Sequence, residues 1–161
     1  MGSGKSSVAR ELARRQEWPL FDTDEMISEA MRMPVAEIFS QLGEERFRAE
    51  ESGVLATLEP RSPSVIAVGG GAILRPQNLK RLRELGTIVY LKADLPSLLH
   101  RLVDQSDRPL LQTESRGAKI EALLRKREPL YEQAADFTVD TSSLTPDEVA
   151  ERIHKTLGLA G

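Results

Sequence analysis

The first residues of the chain carry its strongest chemical signal, the run Gly2-Ser3-Gly4-Lys5-Ser6. This run matches the second half of the phosphate-binding pattern G-x-x-x-x-G-K-[ST]. Glycines let backbone N–H groups turn towards phosphate oxygens, and a helix that begins near Lys5 presents its positive end to the same anion. Lys5 adds a charge for the terminal phosphates, and the hydroxyl of Ser6 is a suitable Mg²⁺ ligand. The run therefore predicts a site for nucleotide phosphates.

Two simpler interpretations of this run remain open: a Gly/Ser turn that caps an ordinary helix, or a remnant of cloning. The pattern is also incomplete, since its first glycine would lie two positions before Met1 and no strand precedes the loop. A doubly wound fold normally feeds such a loop from a central strand. We therefore expect roughly ten further residues, a strand and the first loop glycine, to precede Met1 in the complete protein.

The second signal is an acidic pair, Asp22 and Asp24, at the end of the short apolar run Pro19-Leu20-Phe21. Ligands of open α/β sheets bind at the carboxyl ends of strands. If the strand continues through the pair, we expect the two carboxylates to point to opposite sides, one towards Mg²⁺ and the other towards an acceptor hydroxyl. The alternative is a helix N-cap followed by an acidic first turn.

Three consecutive glycines, Gly69, Gly70 and Gly71, follow the clearest buried strand, Ser64 to Val68. Such a run costs backbone entropy, so it indicates a tight turn or the close approach of a ligand. Backbone N–H groups there can bind a carboxylate or a hydroxyl.

Arginines are the fourth group of candidates. Arg48 is followed three residues later by Glu51, so the two can pair on a helix, and Arg108 and Arg127 lie further along the chain. Arginine suits bidentate recognition of carboxylate or phosphate, although a solvated surface charge is the simpler interpretation of each one taken alone.

Helical and extended segments alternate along the chain, which favours an α/β domain with a parallel sheet. We predict strands at Pro19–Phe21, Ser64–Val68, Thr87–Leu91 and Phe137–Asp140. Predicted helices cover Lys5–Gln16, Glu25–Met31, Pro34–Leu42, Glu44–Leu58, Pro76–Leu85, Leu95–Val103, Ala118–Tyr131 with an interruption at Pro129, and a last helix after the capping box Thr145–Glu148. Residues 104–117 are predicted to be a loop.

Composition limits the classes of protein. The chain has 161 residues, a net charge of −3 and no cysteine. One domain over residues 1–161 accommodates this length. The charge argues against nucleic acid or an anionic membrane as the main partner, and no apolar run approaches the ~20 residues of a membrane span. The absence of cysteine excludes disulfides and thiolate metal sites, and it fits a reducing cytoplasm. His100 and His154 have no metal-ligand partner at a useful spacing.

Taken together, the motifs resemble the shikimate kinase family over essentially the whole chain. They occur in family order: GSGKS, FDTDE, the segment Ile38–Glu51, GGGA, RPLL, KREPLY and VDT. The resemblance implies a three-layer α/β/α P-loop kinase fold that lacks its first strand here, an acceptor-binding segment at about 24–59 and a lid at about 104–117. It also implies a cytoplasmic monomer that phosphorylates the 3-hydroxyl of shikimate with ATP and Mg²⁺.

Site residues follow from the same resemblance, position by position. Those implied for ATP are Gly2, Ser3, Gly4, Lys5, Ser6, Ser7, Arg101 and Arg108. Those implied for shikimate are Asp24, Arg48, Gly69, Gly70, Gly71 and Arg127, beside an apolar wall at Phe39 and Phe47. Ser6 and Asp22 are implied to hold Mg²⁺, and Lys5, Asp24 and Arg108 to take part in catalysis.

Two rival functions remain open at this point. The chain could be another small-molecule kinase of the same fold, for gluconate or a nucleoside monophosphate, although Arg48, Arg127 and the glycines suit a compact carboxylate better than a base. The incomplete phosphate loop also fits a non-catalytic nucleotide-binding relative.

Overall fold

The computed structural model describes residues 4–104 and 113–159, and helices and strands alternate along it as predicted. The helices are α1 (Lys5–Gln16), α2 (Thr23–Met31), α3 (Val35–Glu37), α4 (Gly43–Thr57), α5 (Pro76–Leu85), α6 (Leu95–Asp104), α7 (Thr113–Ala134) and α8 (Pro146–Leu157). The strands are β1 (Leu20–Asp22), β2 (Val65–Ala67), β3 (Val89–Lys92) and β4 (Phe137–Asp140). A π-helical segment, Ile38–Leu42, joins α3 to α4, and a 3₁₀ turn, Ala72–Leu74, precedes α5.

The strands form two parallel pairs. Leu20 lies opposite Val65 in the β1–β2 pair, and Val89 lies opposite Phe137 in the β3–β4 pair. Parallel pairing was predicted from the alternation of helices and strands, and it is confirmed. Within residues 4–104 and 113–159 no strand bridges the two pairs.

Helices cover both faces of the strands. Successive residues of a strand point to opposite faces, so Val65 and Val68, three residues apart, face opposite sides, as do the neighbours Ile88 and Val89. Val65 and Val89 pack on a buried cluster from α1, β4 and α8 that includes Leu12. Val68 and Ile88 instead pack on a second cluster, which consists of Leu55 of α4, Ala72 of the 3₁₀ turn and Leu82 of α5. The layers are therefore helix, strand and helix.

Local signals set the ends of several helices as predicted. The side-chain hydroxyl of Thr145 accepts from the backbone N–H of Glu148, the Glu148 carboxylate accepts from the backbone N–H of Thr145, and Pro146 takes the first helical position of α8. Asp94 accepts a hydrogen bond from the N–H of Ser97 (2.8 Å) in the first turn of α6. The predicted bounds of α1, α5 and β4 agree with the structure residue for residue.

Three predictions about elements were wrong. The helix α7 begins at Thr113, so the second half of the predicted loop is helical, and Pro129 lies inside the helix without interrupting it. Proline removes one backbone hydrogen bond, but the helix continues past it to Ala134. The predicted apolar face of 34–42 is also incomplete, because the π-helical geometry leaves Phe39 and Leu42 exposed while Ile38 is buried.

None of the helices in the described ranges combines the length and apolar character that crossing a membrane requires.

Candidate active site

The amino end of α1 is built to receive an anion. Gly4 precedes the helix in the left-handed conformation (φ 78°), which favours glycine, and no side chain of the described residues caps the first turn. The first turn contains no acidic residue, whereas α2 and α8 begin with capping side chains and acids. The N–H groups near Lys5, Ser6 and Ser7 therefore have no side-chain cap among the described residues, and a phosphate site there stays a prediction.

The acidic pair lies directly beside this helix end. The hydroxyl of Ser6 donates to Oδ2 of Asp22 (2.9 Å), and the Nζ of Lys5 lies 3.8 Å from the same oxygen. Nζ also lies 3.5 Å from Oδ2 of Asp24. One ammonium group therefore links the phosphate-binding turn to both carboxylates.

The expectation that Asp22 and Asp24 point to opposite sides was wrong, because residues two apart share one face of a continuing strand, and here the strand ends at Asp22. The helix α2 begins at Thr23, and Oδ1 of Asp22 accepts a hydrogen bond from the N–H of Asp24 (3.0 Å) as its N-cap. In this first turn of α2 both carboxylates lie near the Lys5 ammonium, with Oδ2 of Asp22 at 3.8 Å and Oδ2 of Asp24 at 3.5 Å. The N-cap interpretation is therefore confirmed, and it is compatible with a functional site at the same two carboxylates. Burial still separates them, since the Asp22 side chain is 4% exposed and that of Asp24 is 35% exposed.

The three glycines after β2 lie against side chains from three different elements. A Cβ built on Gly69 would lie 2.8 Å from Oε1 of Glu51 and 3.4 Å from Oδ1 of Asp24. A Cβ on Gly71 would lie 2.2 Å from the guanidinium carbon of Arg48. Distances under 3.0 Å require a shift of the neighbours, so glycine here makes room for functional groups rather than for a positive φ.

Arg48 and Glu51 form the buried ion pair that their spacing predicted. Nη1 of Arg48 donates to Oε2 of Glu51 (2.9 Å), and Nη2 donates to Glu44 (3.2 Å). Burial lowers the pKa of Arg48, but the bonds to Glu51 and Glu44 outweigh that effect and leave the pKa raised. Burial raises the pKa of Glu51, and the attraction of Arg48 offsets only part of the rise. Oε1 of Glu51 has no hydrogen-bond partner among the described residues.

An apolar wall adjoins this pair. The ring centroids of Phe39 and Phe47 are 4.6 Å apart, and the guanidinium carbon of Arg48 lies 5.3 Å from the centre of the Phe47 ring. Phe47 is buried, whereas Phe39 remains exposed at the surface. An organic ligand with a ring and a carboxylate can therefore meet an aromatic surface and a cation on the same side of the glycine loop.

Other predicted site residues differ in how far the structure places them. Arg101 in α6 donates to the hydroxyl (3.2 Å) and the carbonyl (2.5 Å) of Thr141, after β4. Arg127 is half-buried in α7. Gly2, Ser3 and Arg108 lie outside the described residues, so their roles stay predictions.

Sequence reasoning missed the contact of Tyr131 with this site. A Cβ on Gly70 would lie 2.8 Å from the hydroxyl oxygen of Tyr131. Tyr131 lies four residues after Arg127, so both side chains occupy one face of α7. That spacing was the available signal, because the motif KREPLY contains both residues.

The described residues contain no group of three or more His, Cys, Asp or Glu side chains arranged to hold a metal ion. Mg²⁺ does not require such a group, since it commonly keeps several waters and binds one or two protein oxygens together with substrate phosphates. The hydroxyl of Ser6 and the carboxylate of Asp22 are 2.9 Å apart beside the phosphate-binding turn. This pair of oxygen ligands fits such an ion.

A Gly-Lys-Ser turn at an uncapped helix and a carboxylate at the end of the neighbouring strand are the features by which P-loop kinases bind and transfer phosphate. Solved structures confirm this class. The shikimate kinase of Acinetobacter baumannii, determined in complex with shikimate, matches with a TM-score of 0.87 and 35% identity over 98% of this chain and 89% of that one. The shikimate kinase of Aquifex aeolicus matches with a TM-score of 0.80 and 30% identity over 100% and 95%. The fold is therefore the three-layer α/β/α fold of these kinases.

Sequence comparison is more specific than the fold. The family model described as shikimate kinase matches residues 1–158. The shikimate kinase of Thermodesulfovibrio yellowstonii is 46% identical over 155 residues, which cover 96% of this chain and 89% of that relative. The shikimate kinase of Cupriavidus pinatubonensis is 41% identical over 161 residues, which cover 100% and 84%. The chain belongs to the shikimate kinase family.

Proposed function

We propose that this chain transfers the γ-phosphoryl group of ATP to the 3-hydroxyl of shikimate, giving ADP and shikimate 3-phosphate. The observation that carries the proposal is the convergence of Asp24, Glu51 and Arg48 on the glycine loop, with Lys5 joining Asp24 to the phosphate-binding turn. Membership of the family and the shikimate bound to the Acinetobacter baumannii relative support shikimate as the acceptor. This reaction belongs to chorismate and aromatic amino-acid biosynthesis.

We assign the nucleotide to the amino end of α1. Gly4, Lys5, Ser6 and Ser7, together with Gly2 and Ser3 of the same run, hold its phosphates through backbone N–H groups, and Lys5 adds charge. Arg101 and the adjacent Thr141 flank the adenine side, and Arg108 reaches the phosphates. The free N–H groups of the first turn support this assignment.

Ser6 and Asp22 would hold Mg²⁺ in the proposed complex. When bound, the ion neutralises charge on the phosphates of ATP. The 2.9 Å hydrogen bond from Ser6 to Asp22 keeps both oxygens on the phosphate side of the site.

The acceptor occupies the other side of the glycine loop. Arg48 and Arg127 bind its carboxylate, with N–H groups of Gly69–Gly71 beside them. Glu51 holds Arg48 in place through the buried ion pair. Asp24 then orients the attacking hydroxyl and accepts its proton as the bond to phosphorus forms.

Catalysis in this arrangement depends on position and charge, since phosphoryl transfer asks little covalent chemistry of a protein. The Nζ of Lys5 lies 3.5 Å from Asp24, so its charge is close to the carboxylate that would orient the acceptor hydroxyl. As charge spreads over the transferred group, the Lys5 ammonium stabilises it.

The decisive experiment measures ATP-dependent phosphorylation of shikimate, gluconate and a nucleoside monophosphate by the purified protein. We expect activity with shikimate, a loss of about 10²- to 10³-fold in kcat for Lys5→Ala, and a lower kcat for Asp24→Asn with the fold retained. Lys80→Ala, an exposed lysine of α5, is the matched control. Turnover of another acceptor but not shikimate would overturn the proposal, and ATP binding without any transfer would favour a non-catalytic relative.

We further propose that the chain acts as one domain over residues 1–161, as a cytoplasmic monomer. The buried cluster shared by β2, β3, α1 and α8 supports a single domain, because it joins both strand pairs to the same helices.

A further inference from the structure

The side chain of Tyr131 occupies the space that Gly70 leaves free. A Cβ on Gly70 would lie 2.8 Å from the Tyr131 hydroxyl oxygen and 3.6 Å from the ring carbon that bears it. The first distance is shorter than real Cβ contacts, and the second is an ordinary contact. The hydroxyl group is therefore the part of Tyr131 that a side chain at residue 70 would meet first.

Contacts with β3 hold the same turn of α7 from a second direction. The rings of Tyr131 and Tyr90 stack with their centroids 5.1 Å apart, and burial raises the pKa of Tyr90 to about 12. On either side of Tyr131, Glu128 (2.6 Å) and Glu132 (3.0 Å) both pair with Nζ of Lys92. The turn that contains Tyr131 is thus fixed between the end of β3 and the glycine loop.

This turn needs such support because Pro129 lies inside it. Proline has no N–H, so residue 129 cannot donate to the carbonyl of Arg125, and the helix lacks one backbone hydrogen bond there. Arg127 lies one turn before Tyr131 on the same face of α7. A shift of Tyr131 therefore moves Arg127 relative to the glycine loop.

We propose that Tyr131 is a positioning residue, which holds Arg127 and the Gly69–Gly71 loop at the separation that an acceptor's carboxylate requires. This inference rests on the proposed function, in which Arg127 binds that carboxylate. Tyr131 acts by contact with Gly70 and Tyr90 and has no role in proton transfer.

The first test separates binding from turnover. For Tyr131→Ala we expect the KM for shikimate to rise about tenfold while the KM for ATP stays within about twofold, because only the acceptor side is disturbed. The preference for shikimate over its methyl ester should also shrink about fivefold or more, since the ester lacks the charge that Arg127 recognises. Leu123→Ala changes an exposed apolar residue of the same helix and is the control. It should leave the KM for shikimate, the KM for ATP and the preference for shikimate over its methyl ester unchanged.

The second test uses the close contact itself. Gly70→Ala should raise the KM for shikimate, and adding Tyr131→Phe should recover most of that loss, because the hydroxyl that meets the new methyl group is gone while the ring remains. The double variant that combines Gly70→Ala with Tyr131→Ala should not recover the preference for shikimate over its methyl ester. Thermal unfolding of each variant distinguishes this effect from a loss of folded protein.

Two outcomes would overturn the inference. One is an equal change in both KM values for Tyr131→Ala, and the other is strict additivity of Gly70→Ala and Tyr131→Phe. Failure of the proposed function is a different result, because wild type and Leu123→Ala would then also fail to phosphorylate shikimate.

Discussion

Individual side chains in this site do two tasks at once. Asp22 caps α2 and also bonds Ser6, and Glu51 is fully buried yet pairs with Arg48. A buried carboxylate that is only partly compensated by its partner costs stability, and it is retained here where it fixes a guanidinium beside the glycine loop. The residues that bind ligands therefore also shape the local fold.

Arg127→Ala tests the carboxylate site at this scale. We expect the KM for shikimate to rise by about 10²-fold, because the lost hydrogen bonds to a charged group are worth about 3 kcal/mol of binding free energy. The KM for ATP should change little. Steady-state kinetics with each substrate varied gives both values. Arg125→Ala is the control, since Arg125 is exposed and pairs only with Glu121 in the described residues. Equal losses for both substrates would count against the assignment.

Glu51→Gln tests the electrostatics. The pKa of Glu51 in the folded protein is raised above its ordinary value of 4.5, so the folded state binds the proton more tightly than the unfolded state. The stabilisation that the protonated form of Glu51 gives to the folded state is complete below pH 4.5 and is lost as the pH rises through the folded-state pKa. Wild type should therefore lose more stability than Glu51→Gln between pH 4.5 and pH 8 in urea unfolding. A difference that stays constant or grows in the opposite direction would contradict this.

At the scale of elements, the capping of a helix's first turn determines whether its backbone N–H groups are available to a ligand. The first turn of α8 is satisfied by its own capping box, so that helix serves the core. In contrast, the first turn of α1 follows a left-handed glycine and has no cap from the described side chains. The difference leaves α1 with backbone donors for a ligand.

Thr145→Ala measures the contribution of the capping box. The variant loses the hydroxyl that accepts from the N–H of Glu148 (3.3 Å), and the free energy of unfolding should fall by about 1 kcal/mol. Denaturant unfolding measures this directly. Thr156→Ala, which removes an exposed hydroxyl within α8, serves as the control and should change stability by less than about 0.5 kcal/mol. A larger loss for Thr156→Ala than for Thr145→Ala would refute the assignment of the cap.

For the whole molecule, the arrangement depends on a core that both strand pairs share. Val65 from one pair and Val89 from the other pack on the cluster that α1 and α8 build. Because this cluster also includes residues of α1, it fixes the turn at the start of α1 relative to both strand pairs. The position of the site therefore depends on the packing of α1 and α8 against the strands.

Ile153→Ala tests this shared core. Ile153 of α8 is buried in the cluster, and its truncation should cost about 2–5 kcal/mol of unfolding free energy through lost burial and the resulting cavity. Urea unfolding should show one transition by both far-ultraviolet circular dichroism and Trp18 fluorescence. Two separate transitions would show that the strand pairs do not unfold together. Leu123→Ala, exposed on α7, is the control.

The sequence by itself determined the family, the fold class and most of the elements, and it predicted the chemistry of the site. The phosphate-binding run, the acidic pair, the glycine run and Arg48 with Glu51 were identifiable because each depends on residue types at short spacing. Only the tertiary structure decided how Asp22 and Asp24 point, since the helix α2 replaces the expected continuation of the strand. It alone revealed Tyr131 against Gly70 and the continuous path of α7 through Pro129, because contacts between residues distant in the chain outweigh local preference.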